Sequence, residues 1–188
     1  MKIVELPPSW RDRALVTRDV AAGFSSSWFR DDEIAEANTF RLPKRREEWL
    51  HARMAAKQLA MNRGLATNPR EVRVTRELFS LSHSHPYAAA SLGGGIDVER
   101  VRDLDEGVAH LFLRDDEIDA MRTCTIPHRI LHFWAAKEAA WKARSSEFAT
   151  LKQLPFALQR ENEDGLLFDC VETIAIEDAV VALTRATS

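Results

Sequence analysis

Asp97 and Glu99 stand two residues apart in Gly95-Ile96-Asp97-Val98-Glu99. On a strand, alternate residues share a face, so both carboxylates point one way and Ile96 and Val98 the other. Carboxylates held side by side repel one another unless a cation sits with them. Further along, Glu138 and Lys142 lie four apart in Trp134-Ala135-Ala136-Lys137-Glu138-Ala139-Ala140-Trp141-Lys142. That spacing puts them on one helix face, with Trp134 one turn earlier on the same stripe. If the helix crosses the strand, Asp97, Glu99 and Glu138 converge. Three hard oxygen donors suit magnesium, which takes carboxylates together with waters and substrate phosphates. Taken singly, each half is common. An Asp-x-Glu pair is more often an exposed edge, and Glu138–Lys142 more often a surface ion pair of about 0.3–0.5 kcal/mol.

The elements that must position these residues come in two similar sets. Arg30-Asp31-Asp32-Glu33-Ile34 recurs 84 positions later as Arg114-Asp115-Asp116-Glu117-Ile118. In the same register Pro43 falls on Pro127, Arg45 on Arg129, Trp49 on Phe133, and Ala55-Ala56 on Ala139-Ala140. Each copy reads as a short helix with acidic residues at its start, a Pro-containing loop and a longer helix. The longer helices are expected over Arg46–Asn62 and Pro127–Ala143. Strands are expected over Leu15–Ala21, Val72–Thr75, Phe79–Ser82, Ala88–Leu92, Ile96–Glu99, Phe156–Gln159, Leu166–Val171 and Val180–Leu183. The fold class is therefore α+β, with two pseudo-symmetric lobes, 1–92 and 93–188, each a small sheet packed on helices. Gly93-Gly94-Gly95 marks the boundary and permits a sharp turn or a close backbone approach. A site is expected in the cleft between such lobes. Arg53-Met54 aligns with Lys137-Glu138, so a carboxylate occurs in one copy only and one active site per chain is expected. Trp49, Phe133, Trp134 and Trp141 are expected to fill the core.

The remaining composition is that of an ordinary globular protein, with 188 residues, 45% hydrophobic and 29% charged. The net charge of −3 supplies no overall basic field for nucleic acid. Cys124 and Cys170 are the only cysteines and have no zinc spacing, which fits reduced thiols. The N-terminus carries Glu5, Pro7 and Pro8 where a signal peptide needs an apolar core, and no apolar run has membrane-spanning length. A soluble, cytoplasmic protein with no membrane partner is the expectation.

The two motifs together resemble the paired signature of the 4′-phosphopantetheinyl transferases: glycine-apolar-Asp-apolar-Glu, then aromatic-x-x-Lys-Glu-x-x-x-Lys. Ser82-His83-Ser84, the pair Phe112 and Glu117, and the segment Arg45–Lys57 are also similar to pieces of that family. The likeness spans roughly residues 28–143 and points to the two-lobed, surfactin-synthetase-activating type. The resemblance implies transfer of the phosphopantetheine arm of coenzyme A to a serine of an apo acyl or peptidyl carrier protein, with release of 3′,5′-ADP. Such carriers serve fatty-acid, polyketide or nonribosomal-peptide synthesis. It implies that Asp97, Glu99 and Glu138 hold magnesium, or manganese in its place, and that Glu138 and Lys142 are catalytic. It implies that Arg53, Lys57, Ser82, His83 and Lys142 bind coenzyme A, with Arg53, Lys57 and His83 on its 3′-phosphate. Apolar residues around Leu111–Met121 would form part of a carrier-docking groove. The sequence departs from the family at Val74–Phe79, which lacks the usual Gly-Lys/Arg-Pro loop and offers Arg76 as the basic residue. With two lobes in one chain, a monomer is expected. Two other readings compete: a magnesium-dependent phosphohydrolase or nuclease using the same carboxylates, and a non-enzymatic scaffold whose basic helix Lys44–Lys57 binds nucleic acid or a partner.

Overall fold

The computed structural model describes residues 1–19, 26–144 and 147–185. The chain divides into two compact units, Met1–Gly93 and Gly94–Ser188. The first contains β1 (Lys2–Val4), the single-turn helix α1 (Pro8–Arg11), β2 (Ala14–Arg18), α2 (Asp31–Ala37), α3 (Pro43–Asn62), β3 (Phe79–Ser84) and β4 (Tyr87–Leu92). Its strands pair antiparallel in the order β1-β2-β4-β3. One face of α3 buries Ala55, Ala56, Leu59 and Ala60 against Leu15, Phe79, Ala88 and Ala90 of the sheet. Small alanines on both surfaces let helix and sheet approach closely.

The second unit contains β5 (Ile96–Arg100), α4 (Asp115–Thr123), α5 (Arg129–Arg144), β6 (Leu158–Glu161), β7 (Leu166–Phe168), β8 (Val171–Ile176) and β9 (Ala179–Thr184). These strands form an antiparallel sheet in the order β5-β9-β8-β7-β6. The core of this unit is gathered around α5 and includes Phe133, Phe156 and Phe168. The ring of Phe156 stacks on Phe168 at 4.2 Å, and Phe133 meets Phe168 edge-on at 5.0 Å. Such aromatic pairs add about 0.5–1.5 kcal/mol beyond their burial.

Several sequence expectations need correction. Residues 72–75 form no strand. The Val72 carbonyl is bonded instead by the side chains of Lys57 and Arg30. The expected Leu166–Val171 strand is two strands, because the chain turns at Asp169-Cys170. β1 was not expected at all; its three residues are too few for an alternation to show. Helix α3 starts at Pro43, where proline is suited to the first helical turn. Helix α5 starts later than expected because His128 has φ +56°, outside the helical region. Ala21, at the end of the expected Leu15–Ala21 strand, lies outside the described residues.

One arrangement occurs in both units. In the first, Lys57 of α3 is fully buried and its Nζ lies 2.9 Å from Glu33 of α2. The same Nζ donates to the carbonyls of Pro69 and Val72, at 2.9 and 3.1 Å. In the second, Lys137 of α5 is fully buried, with Nζ 2.8 Å from Glu117 of α4. It donates to the carbonyls of Leu151 and Leu154, at 3.1 and 2.9 Å. Each carbonyl pair brackets a short 3-10 turn, Pro69–Glu71 or Leu151–Gln153. Each glutamate also caps its own short helix, accepting from Arg30 N or Arg114 N. An ammonium has three donors, and here each lysine meets three acceptors. Burial pulls both lysines down from the ordinary range, and the glutamates pull them back up. Lys57 and Lys137 are 80 positions apart, not 84. Aligned on these lysines, the two segments differ from the offset of the short helices by four residues, about one helical turn. Ala55-Ala56-Lys57 corresponds to Ala135-Ala136-Lys137, and Gln58 to Glu138.

Two predictions follow from the buried polar groups. Removing one partner of a buried ion pair costs about 3–5 kcal/mol, because the other charge is left uncompensated. Lys57→Met and Lys137→Met should each lower stability by about that amount in urea unfolding followed by tryptophan fluorescence. Glu117→Leu combined with Lys137→Met should recover most of the loss, and a double variant as unstable as the single would count against the ion pair as the cause. The second concerns His132, fully buried on α5, with Nδ1 2.8 Å from the Thr173 hydroxyl. Burial, aided by His128, holds its pKa down at about 4. The unfolded chain protonates this imidazole first, near pH 6.5. Its contribution is therefore complete above that pH and is lost as pH falls toward 4, by about 3 kcal/mol in all. Replacing His132 with Leu should flatten that acid limb of the stability profile; an unchanged limb would assign it to other groups.

Candidate active site

Strand β5 and helix α5 carry the acidic motifs. Gly95 sets their approach. A Cβ at this position would run into the Ala139 carbonyl and lie 3.1 Å from Ala143 N. Only glycine lets the start of β5 pass so close to α5. Asp97 is buried, and its Oδ1 accepts from Lys142 Nζ at 2.6 Å. Lys142 also donates to the Ile96 carbonyl at 3.1 Å. Two residues along the strand, Glu99 Oε1 accepts from Trp134 Nε1 at 3.1 Å. The helix thus runs against the strand direction, Lys142 over Asp97 and Trp134 over Glu99. Glu138 lies midway on the same stripe. Along α5, Trp134, Glu138 and Lys142 are half-buried, whereas Ala135, Ala136, Lys137, Ala139 and Ala140 are buried. Burial raises the Glu138 carboxyl above the ordinary range; Lys142 pulls it down and Glu99 pushes it further up. Glu138 is therefore within electrostatic reach of both.

The sequence reading missed Arg102, whose Nη1 lies 2.6 Å from Glu99 Oε2. A basic residue three positions beyond Glu99 was the available signal. Trp134 was expected in the core; it is half-buried and packs against it, edge-on to Phe112 at 4.9 Å, and its indole N–H also bonds Glu99. The three carboxylates offer hard oxygen donors, a chemistry that fits magnesium or manganese. Among the described residues, however, no three His, Cys, Asp or Glu side chains are drawn together as a metal cluster. Asp97 is held by Lys142 and Glu99 by Arg102. Of the apolar residues expected in a docking groove, Phe112, Leu113, Ile118 and Met121 are core, and Leu111 is 76% exposed. The groove therefore does not form from them.

In the first unit the expected ligands separate into different environments. Lys57 belongs to the buried ion pair described above, with its donors already engaged, so it does not present an ammonium to a phosphate. Arg53 stacks on the Trp49 ring, its guanidinium carbon 3.4 Å from the ring centre. Ser82 is buried in β3. His83 is partly exposed, with Nε2 2.8 Å from Arg45 Nη1 and Nδ1 3.8 Å from Glu48 Oε2. The structure thus joins His83 to Arg45 and Glu48. Arg45 was expected only within the basic helix Lys44–Lys57, with no role of its own.

This geometry lies inside a segment with a recognisable family likeness. Residues 93–175 match the 4′-phosphopantetheinyl transferase superfamily. The matched segment includes Asp97, Glu99, Glu138 and Lys142, and ends within β8. The comparison with curated proteins found no match. Among the described residues, no helix is long and apolar enough to cross a membrane.

The close approach at Gly95 is open to test. Gly95→Ala forces backbone against backbone, and overpacking of this kind costs about 1–3 kcal/mol or more. The variant should lose at least that much stability in urea, and the Trp134 fluorescence should report a changed environment. Wild-type stability would mean that β5 and α5 are not held this close.

Proposed function

We propose that the chain transfers the 4′-phosphopantetheine arm of coenzyme A to a serine of an apo acyl or peptidyl carrier protein and releases 3′,5′-ADP. The observation that carries this reading is the α5 stripe of Trp134, Glu138 and Lys142 laid over Asp97 and Glu99, within the segment that matches the superfamily. In the reaction, the serine Oγ attacks the phosphorus that bears the pantetheine arm. The Oγ–P bond forms, the bridging P–O bond to the nucleotide breaks, and the electron pair leaves with 3′,5′-ADP. The serine proton passes to Glu138, the carboxylate on the α5 stripe, acting as general base. Magnesium, or manganese in its place, held by Asp97, Glu99 and Glu138, would neutralise the diphosphate when bound. Lys142 meets developing negative charge as a point charge. Trp134 holds Glu99 in orientation. Taken by itself, the first unit offers Arg53, Ser82 and His83, with Arg45 in place of Lys57, as the residues we assign to phosphate binding.

We also read the two units as copies of one element. In each, the strand under the long helix pairs with the second strand of a hairpin, closed between Ser84 and Tyr87 or between Ile176 and Ala179. Counting from those turns, Leu15, paired with Ala90, stands where Asp97, paired with Ala182, stands. Thr17 then corresponds to Glu99 and Gln58 to Glu138. No carboxylate of the motif is retained in the first copy, so the reading predicts one transfer centre per chain.

The test is intact mass spectrometry of apo carrier proteins incubated with the protein, coenzyme A and magnesium. The expected result is the gain of one phosphopantetheine, abolished by EDTA. Asp97→Ala and Glu138→Ala should each reduce transfer by about a hundredfold or more while the protein stays folded. No gain with fatty-acid, polyketide and peptide carriers, together with no binding of coenzyme A, would overturn the assignment.

A further inference from the structure

The charges at β5 and α5 do not stand as three free carboxylates. Lys142 Nζ sits 2.6 Å from Asp97 Oδ1 and also grips the Ile96 carbonyl. Arg102 Nη1 sits 2.6 Å from Glu99 Oε2. The two strand carboxylates are thus each matched by a cation supplied by the protein itself. Lys142 is also the side chain best placed to meet a phosphate, because it is half-buried on the same helix stripe as Glu138. Two of its three donors are engaged, so a phosphate would compete with Asp97 for the positive charge of the ammonium, not for its last hydrogen bond. A divalent ion approaching Asp97 must enter against the positive charge of the ammonium already there. A diphosphate offers that ammonium another anion. Once Lys142 turns to the diphosphate, Asp97 is released to a metal ion.

We propose that Lys142, with Arg102 in a lesser role, is an exchangeable internal cation that makes metal binding depend on the diphosphate substrate. The inference rests on the transferase reading and concerns the regulation of its site. In this arrangement the carboxylates take up a divalent ion weakly by themselves and strongly once a diphosphate has drawn Lys142 away. Linkage makes the effect mutual, so the metal tightens coenzyme A by the same factor as coenzyme A tightens the metal. Lys142 should dominate because its ion pair is the better shielded. The Lys142 side chain is 23% exposed and its Asp97 partner 5%, against 47% and 17% for Arg102 and Glu99. The arrangement would also keep the carboxylate set from loading with divalent ions when there is no diphosphate to act on.

The experiment is a manganese titration of the whole protein, read by the electron paramagnetic resonance signal of free Mn2+, with and without saturating coenzyme A. Wild type should bind Mn2+ weakly alone and about ten- to a hundredfold more tightly with coenzyme A, the range typical of linked sites. Lys142→Met should bind Mn2+ alone about tenfold more tightly than wild type and gain less from coenzyme A. Arg102→Leu should move the same way by a smaller factor. Lys142→Gln serves as a second variant that keeps chain length and polarity, and circular dichroism checks that each is folded. Wild type binding Mn2+ while both Lys142 variants bind it alone no more tightly would overturn this proposal and leave the metal site standing. Wild type failing to bind Mn2+ with or without coenzyme A would remove the metal reading and this proposal together.

Discussion

A lysine buried without water is stable only if every donor it carries is met. Lys57 and Lys137 satisfy that condition, each through one glutamate and two backbone carbonyls. The requirement fixes four things at once in each unit. The short helix must present its third residue inward, the long helix must place its lysine opposite, and a 3-10 turn must bring two carbonyls to the same point. The glutamate must also cap the helix from which it comes. An apolar pair of equal volume would be as stable or more so, so the gain lies in specificity of placement more than in energy. In the second unit that specificity matters beyond the core. Glu138 follows Lys137 by about 100° around the helix, so fixing the rotation of α5 at Lys137 sets Glu138 on the half-buried side. The buried ion pair and the candidate active site are therefore two consequences of one helix orientation.

The strand beneath completes the constraint. Rotation of α5 alone would not bring Lys142 to Asp97; the strand has to come close as well. Gly95 allows this because nothing at its Cα opposes the Ala139 carbonyl. Once the backbones are that near, Lys142 reaches the Ile96 carbonyl and the Asp97 carboxylate together. The period-two alternation of β5 then places Glu99 under Trp134. A displacement of β5 by one residue would put Ile96 and Val98 under α5 in place of Asp97 and Glu99, and both charged side chains would turn to the other face, where Ile96 and Val98 are buried.

Much of this was legible in the sequence, and the parts that were not share a cause. The shared face of Asp97 and Glu99 and the shared stripe of Trp134, Glu138 and Lys142 follow from strand and helix periods, which depend only on local backbone geometry. Most strands were placed within a few residues for the same reason. Residues 72–75 were misread because Val72-Arg73-Val74-Thr75 alternates like a strand, whereas the Val72 carbonyl is committed to side chains of Lys57 and Arg30 that no local pattern reveals. Lys57 was misassigned to a phosphate because a lysine four residues from an arginine reads as an exposed basic face; its burial depends on Glu33, on a different helix. The repeat was seen in the correct short helix but carried through in the wrong register. The identical five-residue block fixed the offset at 84, and the spacing from capping glutamate to buried lysine, 57 − 33 = 24 in the first unit and 137 − 117 = 20 in the second, was not noticed until both lysines were seen to make the same bonds. Arg102 was missed because a basic residue three positions beyond an acidic one is a common spacing, and only its contact with Glu99 singles it out.

The slipped register also sharpens the argument for a single centre. Under the uniform offset, Glu138 faced Met54, a comparison of unlike helical environments. With Lys57 and Lys137 superposed in role, Glu138 faces Gln58, a side chain of nearly equal size that cannot carry charge at neutral pH. On the strand, Leu15 and Thr17 face Asp97 and Glu99. The first unit thus keeps the buried lysine, the capping glutamate and the close-packed alanines, all of which serve folding, and lacks the three carboxylates. A charge cluster that served stability would be expected wherever the supporting frame persists. On the proposed reading of the two units as copies, its confinement to one of them accords with the proposed chemical role, because the first unit keeps its buried lysine without such charges, and in the second they are paired with Lys142 and Arg102.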